Sequence, residues 1–178
     1  MKTLYESIFD VDDNIANMDI PIKDRILTFI LENYELNYDI IISDSPNKNG
    51  KYVVYCPGNV IVRPNRRALK SLTNKLFVWG IVNGRFDCSN CHSLTSLEGA
   101  PEEVGRDFYC DGCTSLTSLK GAPKKVGRDF YCSYCSLLIS LKGAPKKVGG
   151  NFICHDCKIL FTEEDVKKNS KINGYIKP

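Results

Sequence analysis

Four Cys-x-x-Cys pairs recur every 22 residues along this chain: Cys88/Cys91, Cys110/Cys113, Cys132/Cys135 and Cys154/Cys157. Their neighbours recur with them. Phe86, Phe108, Phe130 and Phe152 each stand two residues before a first Cys. Leu94, Leu116, Leu138 and Leu160 each follow a second Cys by three, and Leu97, Leu119 and Leu141 come three later. Gly99-Ala100-Pro101, Gly121-Ala122-Pro123 and Gly143-Ala144-Pro145 come next, and Val104, Val126 and Val148, each before a Gly, close the units. A fixed period of this size that carries the spacers along with the cysteines is the signature of a solenoid.

The unit can be read physically. Phe-x-Cys alternates as a short strand does, which sends the Phe and the first Cys inward. The second Cys lies where the chain leaves the strand, and Leu-x-x-Leu adds two more side chains to the same interior. Gly-Ala-Pro breaks any helix, and the Gly after Val supplies the return turn. One such unit cannot bury its own apolar side, whereas stacked units can, with strands about 4.8 Å apart in a parallel ladder.

The pattern resembles the leucine-rich repeat, LxxLxLxxN/CxxL. Phe108 falls at its second Leu position, Cys110 at the third, Cys113 at the Asn-or-Cys position and Leu116 at the Leu that follows. The match covers residues 82–160 and departs at the first Leu position, here Gly105. A degenerate earlier unit, residues 59–72, places Val60, Val62, Asn65 and Ala68 at the same offsets. The resemblance implies that variable strand positions line one face and that this face binds. Those positions are Asp87, Tyr109, Tyr131 and Ile153. The column before them is Arg85, Asp107, Asp129 and Asn151; the column after is Ser89, Asp111, Ser133 and His155, with Tyr134 just beyond. Tyr109 and Tyr131 flanked by Asp87, Asp107, Asp129 and Asp111, with Tyr134 and His155 alongside, form the candidate protein-binding patch, since Tyr supplies contact area at low entropic cost.

Residues 1–58 do not repeat. IKDRILTFILENYE has helical apolar spacing at Ile22, Ile26, Leu27, Phe29, Ile30 and Tyr34. YDIIISD and KYVVYC flank SPNKNG, whose Asn49-Gly50 reads as a hairpin turn. Together they predict an α+β cap over the first solenoid edge, where strand groups would otherwise be unpaired. FTEEDVKKN, residues 161–169, has Thr162 as N-cap, acids in the first turn and lysines after, and predicts a closing helix. The tail KINGYIKP is expected to be loosely held. The fold expected is α+β: a short solenoid with a parallel β-ladder, preceded by a helix and hairpin cap. The divisions are 1–58 cap, 59–160 solenoid of one degenerate and four clear units, and 161–178 capping helix and tail.

C-x2-C-x18-C-x2-C also has the spacing of a four-thiolate zinc ribbon. The alternative metal set is therefore Cys88, Cys91, Cys110, Cys113, Cys132, Cys135, Cys154 and Cys157. Because everything between the pairs repeats too, the preferred reading is a core ladder of free thiols acting as small hydrophobes, with no metal and no cofactor. A redox CxxC opens a helix within a βαβ unit, and no such pattern surrounds these pairs. His92 and His155 are read as exposed variable positions. Cys56, in YCPGN, has no His within twenty residues. The chain has no Gly-rich phosphate loop, nucleophile elbow or HExxH, so the expectation is a non-enzyme.

The net charge of +3 on 178 residues does not demand a polyanionic partner, and no apolar run approaches the ~20 residues of a membrane span. The lysines of EGAPEEV, KGAPKKV and KGAPKKV are read as solvated, with Glu102-Glu103 stacking beside Lys124-Lys125. The N-terminus carries acids where a signal peptide needs an apolar stretch, so the expected location is cytoplasmic. MKTLYESIFDVDDNI is similar to the first residues of tailed-phage proteins, and the repeats resemble those of phage and gut-bacterial proteins. That resemblance implies host cytoplasm, and a phage protein that binds or inhibits a host defence protein. Alternatives are a zinc module contacting nucleic acid, and a structural or packaged virion protein with residues 1–15 as its address. The expected partner is a protein rather than nucleic acid or membrane, and the expected state is a monomer or an edge-paired dimer.

Overall fold

The computed structural model describes residues 20–62 and 69–178. Asn65, Ala68 and the segment 1–15 lie outside the described residues. The chain winds as a solenoid. On each circuit it lays a short strand in one sheet, turns through three residues, and lays a second strand in another sheet. The strand pairs are β3 (Tyr52–Cys56) with β4 (Val60–Val62), β5 (Phe77–Val82) with β6 (Phe86–Asp87), β7 (Glu103–Val104) with β8 (Phe108–Tyr109), β9 (Lys125–Val126) with β10 (Phe130–Tyr131), β11 (Lys147–Val148) with β12 (Phe152–Ile153), and β13 (Lys171–Ile172) with β14 (Ile176–Lys177). Sheet one stacks β4, β6, β8, β10, β12 and β14 in parallel; sheet two does the same with β3, β5, β7, β9, β11 and β13.

The expected ladder is present, in register Val60↔Phe86↔Phe108↔Phe130↔Phe152, and so is a second. The Val-Gly stretch expected to be only a return turn carries the strands of sheet two. Its Val column, Val104, Val126 and Val148, is buried. The Gly that follows is fixed by backbone contact. A Cβ on Gly127 would run into the carbonyl oxygen of Gly105, and one on Gly149 into that of Gly127. This is why Gly105 stands where the leucine-rich pattern has Leu.

One interior serves the whole coil. Phe86, Phe108 and Phe130 lie in offset stacks with centroids 5.7 and 5.4 Å apart and planes within 7°. The first and second cysteines and both Leu columns are buried beside them. The repeat fails at one point. Leu160, aligned with Leu116 and Leu138, is 86% exposed, and Phe161 takes the interior place. The following residues enter helix α2 (Glu163–Asn169), and the larger ring reaches the core from one position later.

Helix α1 (Ile22–Asn33) packs Ile26 and Ile30 on the first turn, with Phe29 edge-on to Phe77 at 5.9 Å. Leu27, expected inside, is 39% exposed. After the helix, β1 (Tyr34–Leu36) pairs antiparallel with β4, and β2 (Ile41–Ile42) pairs antiparallel with β3 through the expected hairpin, so each sheet has its first edge covered. Tyr34 stands edge-on to Trp79 at 5.3 Å, and burial pushes its phenol up to about 12.

At the other end Thr162 and Asp165 form a reciprocal capping box at the start of α2. The tail expected to be loose is instead the last circuit. Lys171-Ile172-Asn173-Gly174-Tyr175-Ile176 repeats the pattern of Lys147-Val148-Gly149-Gly150-Asn151-Phe152, and β13 and β14 extend both ladders.

Candidate functional site

The outward face of sheet one carries the candidate patch. Because strand side chains alternate, burying Phe108 and Phe130 obliges Tyr109 and Tyr131 to point out. In-register pairing sets them one above the other, with ring centroids 4.6 Å apart and planes 7° from parallel. Both rings are half-buried. The Tyr131 hydroxyl donates to Asp129 Oδ2 at 3.1 Å. Burial, reinforced by Asp129, raises the Tyr131 phenol, and burial followed by Asp107 raises that of Tyr109, so both remain protonated donors at neutral pH.

The carboxylates have a second occupation. Asp107 Oδ1 accepts the backbone N–H of Asp129 at 3.1 Å, and Asp129 Oδ1 accepts that of Asn151 at 2.7 Å. Asn59 and Asn151 do the same for Arg85 and Tyr175. One residue beyond the strands, Asp111 Oδ1 accepts the N–H of Ser133 at 2.8 Å; burial raises the Asp111 carboxyl and this N–H opposes the rise. Asp87 holds the N–H of Ser89 at 3.0 Å. Asp107, Asp129 and Asp111 therefore tie successive turns together through one oxygen and leave the other for solvent, Tyr131 or a ligand, whereas the Asp87 contact is local. Arg128 Nε lies 4.0 Å from Asp107. The Tyr column itself ends at Ile153, which is buried.

Tyr134 and His155 sit at the corner after the strands, with rings edge-on at 5.1 Å, and His155 Nδ1 is 2.6 Å from Asp156 Oδ2. Tyr134 has φ +57. That corner residue is left-handed in each of the four cysteine-bearing circuits, with Asn90 at +58, Gly112 at +67 and Asp156 at +55. Asn, Gly and Asp are the residues that tolerate this conformation; a tyrosine there is strained. Tyr134 is 58% exposed, so it fills no space in the core in return.

The cysteines form a hydrogen-bonded ladder inside the coil. Cys113, Cys135 and Cys157 each donate a thiol to the carbonyl of the first Cys of the preceding circuit: Cys88, Cys110 and Cys132, all at 3.3 Å. Cys88 and Cys110 donate forward, to the carbonyls of Tyr109 and Tyr131 at 3.3 Å. Each of these five sulfurs thus points at a carbonyl of a neighbouring turn, and all nine cysteines are free thiols. Among the described residues no three His, Cys, Asp or Glu side chains are grouped so as to hold a metal ion. Cys154, in the first-Cys column, and Cys91, in the second, are also buried. His92 is exposed, its Nδ1 3.0 Å from the carbonyl of Gly112.

The chain matches no protein-family model, no curated protein and no solved structure. The face is therefore interpreted from its own chemistry. A flat pair of aromatic rings with two phenol donors and a surround of carboxylate acceptors, on a rigid two-sheet scaffold, can supply area and directional hydrogen bonds to a partner surface.

Proposed function

We propose that this solenoid is a non-catalytic protein-binding module of the leucine-rich-repeat kind, and that its partner docks on sheet one over Tyr109 and Tyr131. The observation that carries the reading is the parallel stack of those two rings at 4.6 Å on the outward side of β8 and β10. Aromatic side chains preordered by a scaffold lose little freedom on binding and are over-represented among residues that dominate interface energies. Asp87, Asp107, Asp129 and Asp111 rim the pair, while Tyr134 and His155 extend it at the corner. The inward positions of Phe108, Cys110, Cys113 and Leu116, all buried, support the leucine-rich-repeat assignment. From the resemblance of residues 1–15 to tailed-phage proteins, we read the chain as a phage protein that acts on a host protein.

The test is affinity capture from host extract with wild type and with Tyr109→Ala/Tyr131→Ala, after circular dichroism has shown the same fold for both. A partner recovered by wild type and lost from the double variant supports the assignment. Equal recovery of every captured protein removes this face from consideration.

A further inference from the structure

The repeat provides its own comparison. The inward positions of the three circuits that begin at Phe86, Phe108 and Phe130 are the same residues, so differences at outward positions are not imposed by the fold. After leaving sheet one, each circuit crosses a third side, where its backbone stacks on the previous turn (Ile139 N–H on the carbonyl of Thr117 at 3.1 Å; Ser118 bridged to Ser140), and then enters sheet two. On the Phe86 and Phe108 circuits the corner residues are Asn90 and Gly112, and the outward residues of the path after them are Ser93 and Ser115, then Thr95 and Thr117. Their charges pair with one another: Lys120 with Glu98 at 2.8 Å, Lys124 with Glu102 at 2.6 Å and Lys125 with Glu103 at 3.1 Å.

The Phe130 circuit departs in residue at the corner and at both outward positions, and its lysines repeat Lys120, Lys124 and Lys125 without their pairing. It has Tyr134 in the strained corner, Leu137 for Ser and Ile139 for Thr, and then Lys142, Lys146 and Lys147, which have no carboxylate partner among the described residues. Leu137 and Ile139 are 48% and 56% exposed, on either side of buried Leu138, so both face out. The next circuit adds further exposed apolar residues, Ile159, one 22-residue period after Leu137, and Leu160. Lys147 stacks in register between Lys125 and Lys171, a like-charge column that a solvated sheet does not favour.

We infer that this circuit is a second docking surface, which adjoins the Tyr109/Tyr131 face at Tyr134 and runs away from that pair, and that it takes an acidic amphipathic segment of a protein partner. The partner's apolar side covers Leu137, Ile139 and Ile159. Its carboxylates supply to Lys142, Lys146 and Lys147 what Glu98, Glu102 and Glu103 supply to the lysines of the circuit before. Tyr134 stands at the head of the path, and its left-handed backbone fits a residue retained for contact rather than for folding.

The experiment grafts one circuit onto another. Tyr134→Gly/Leu137→Ser/Ile139→Thr gives the Phe130 circuit the outward residues of the Phe108 circuit, which already pack in this fold, and it changes no charge. The probe is a fluorescein-labelled peptide of repeated Leu-Glu-Glu-Leu, compared by anisotropy with the same peptide carrying Lys for Glu and with single-stranded oligouridylate. Wild type is expected to bind the acidic peptide in preference to both. The graft is expected to weaken that binding by about tenfold or more, and Lys142→Glu/Lys146→Glu to abolish it. Equal binding by graft and wild type would show mere charge attraction and overturn the inference. So would a wild type with no preference for the acidic peptide, and tighter binding of oligouridylate would assign the lysines to nucleic acid instead. Tyr109→Ala/Tyr131→Ala should leave this binding unchanged, which separates it from the function proposed above.

Discussion

Cys135 donates its thiol to the carbonyl of Cys110, 3.3 Å away on the preceding turn, and Cys113 and Cys157 repeat the contact with Cys88 and Cys132. The second cysteine of these three pairs thereby supplies a donor to a backbone carbonyl of the preceding turn. Cys135→Ala removes both the weak donor and the volume of the sulfur. It is expected to lower unfolding stability by about 1–2 kcal/mol, read by urea denaturation. Metal analysis of the same protein should give a content far below stoichiometric, and chelator should leave the transition unmoved. About two zinc ions per chain would mean that the sulfurs are ligands and not donors to carbonyls.

Burial, together with neighbouring thiols, also sets a pH dependence. The thiols of Cys88, Cys110, Cys132 and Cys135 are pushed well above their ordinary value in the native chain. In the unfolded chain they ionise near pH 8.5. Above that pH the unfolded state has released protons that the native state keeps, so stability is full below pH 8.5 and falls as pH rises. For a thiol that stays neutral in the native chain the slope approaches about 1.4 kcal/mol per pH unit once its unfolded counterpart is ionised; Cys154, held down by its hydrogen bond with Cys132, works against this. The urea midpoint should be flat up to pH 8 and drop steeply by pH 10, and Cys110→Ala/Cys132→Ala should flatten the drop. A midpoint unchanged to pH 10 would contradict the buried, neutral ladder.

Two substitutions separate fold from surface. Gly127→Ala places a Cβ against the carbonyl of Gly105 and should destabilise by about 2 kcal/mol or more, since backbone and not a mobile side chain must give way. Tyr134→Asn relieves a left-handed tyrosine with φ +57 and should stabilise by about 0.5–1 kcal/mol. A loss of stability at Tyr134 would show that its contact with His155 outweighs the backbone strain.

These contrasts show which features the sequence makes legible. Inward positions are read easily because stacking demands the same side chain at the same offset on every turn; Phe108, Cys110, Leu116 and Val126 are apparent from the period alone. The helix and hairpin of the cap follow from local periodicity and from Asn49-Gly50, whose Gly has φ +73. The second ladder is harder to see, because two-residue strands such as β9 and β11 leave a single inward Val between lysines and a glycine. The last circuit is hidden because helix α2 is inserted before it and because Ile172 and Ile176 replace Val and Phe. On the candidate face the Tyr column follows from alternation, whereas the backbone bonds of Asp107, Asp129 and Asp111 depend on the distance between turns, which no single repeat encodes. The exposure of Leu137 and Ile139 is visible only by comparing them with Ser115 and Thr117.

The last circuit provides the sharpest test of the solenoid's extent. The backbone N–H of Phe152 bonds to the carbonyl of Tyr175 at 3.0 Å, and that of Cys154 to the carbonyl of Lys177 at 2.9 Å. Ser170 Oγ reaches the carbonyl of Pro145, and Ile172 and Ile176 pack against the interior. Removing residues 171–178 strips both ladders of their final strands and leaves the amides of Phe152 and Cys154 unpaired. The truncated chain should melt at least about 5 °C lower. Hydrogen exchange should accelerate at Phe152 and Cys154, while Phe108 and Cys110, two turns away, retain their protection. A truncation that leaves the melting temperature and these two amides unchanged would mean that the tail is a loose extension after all, and that the coil ends at β12.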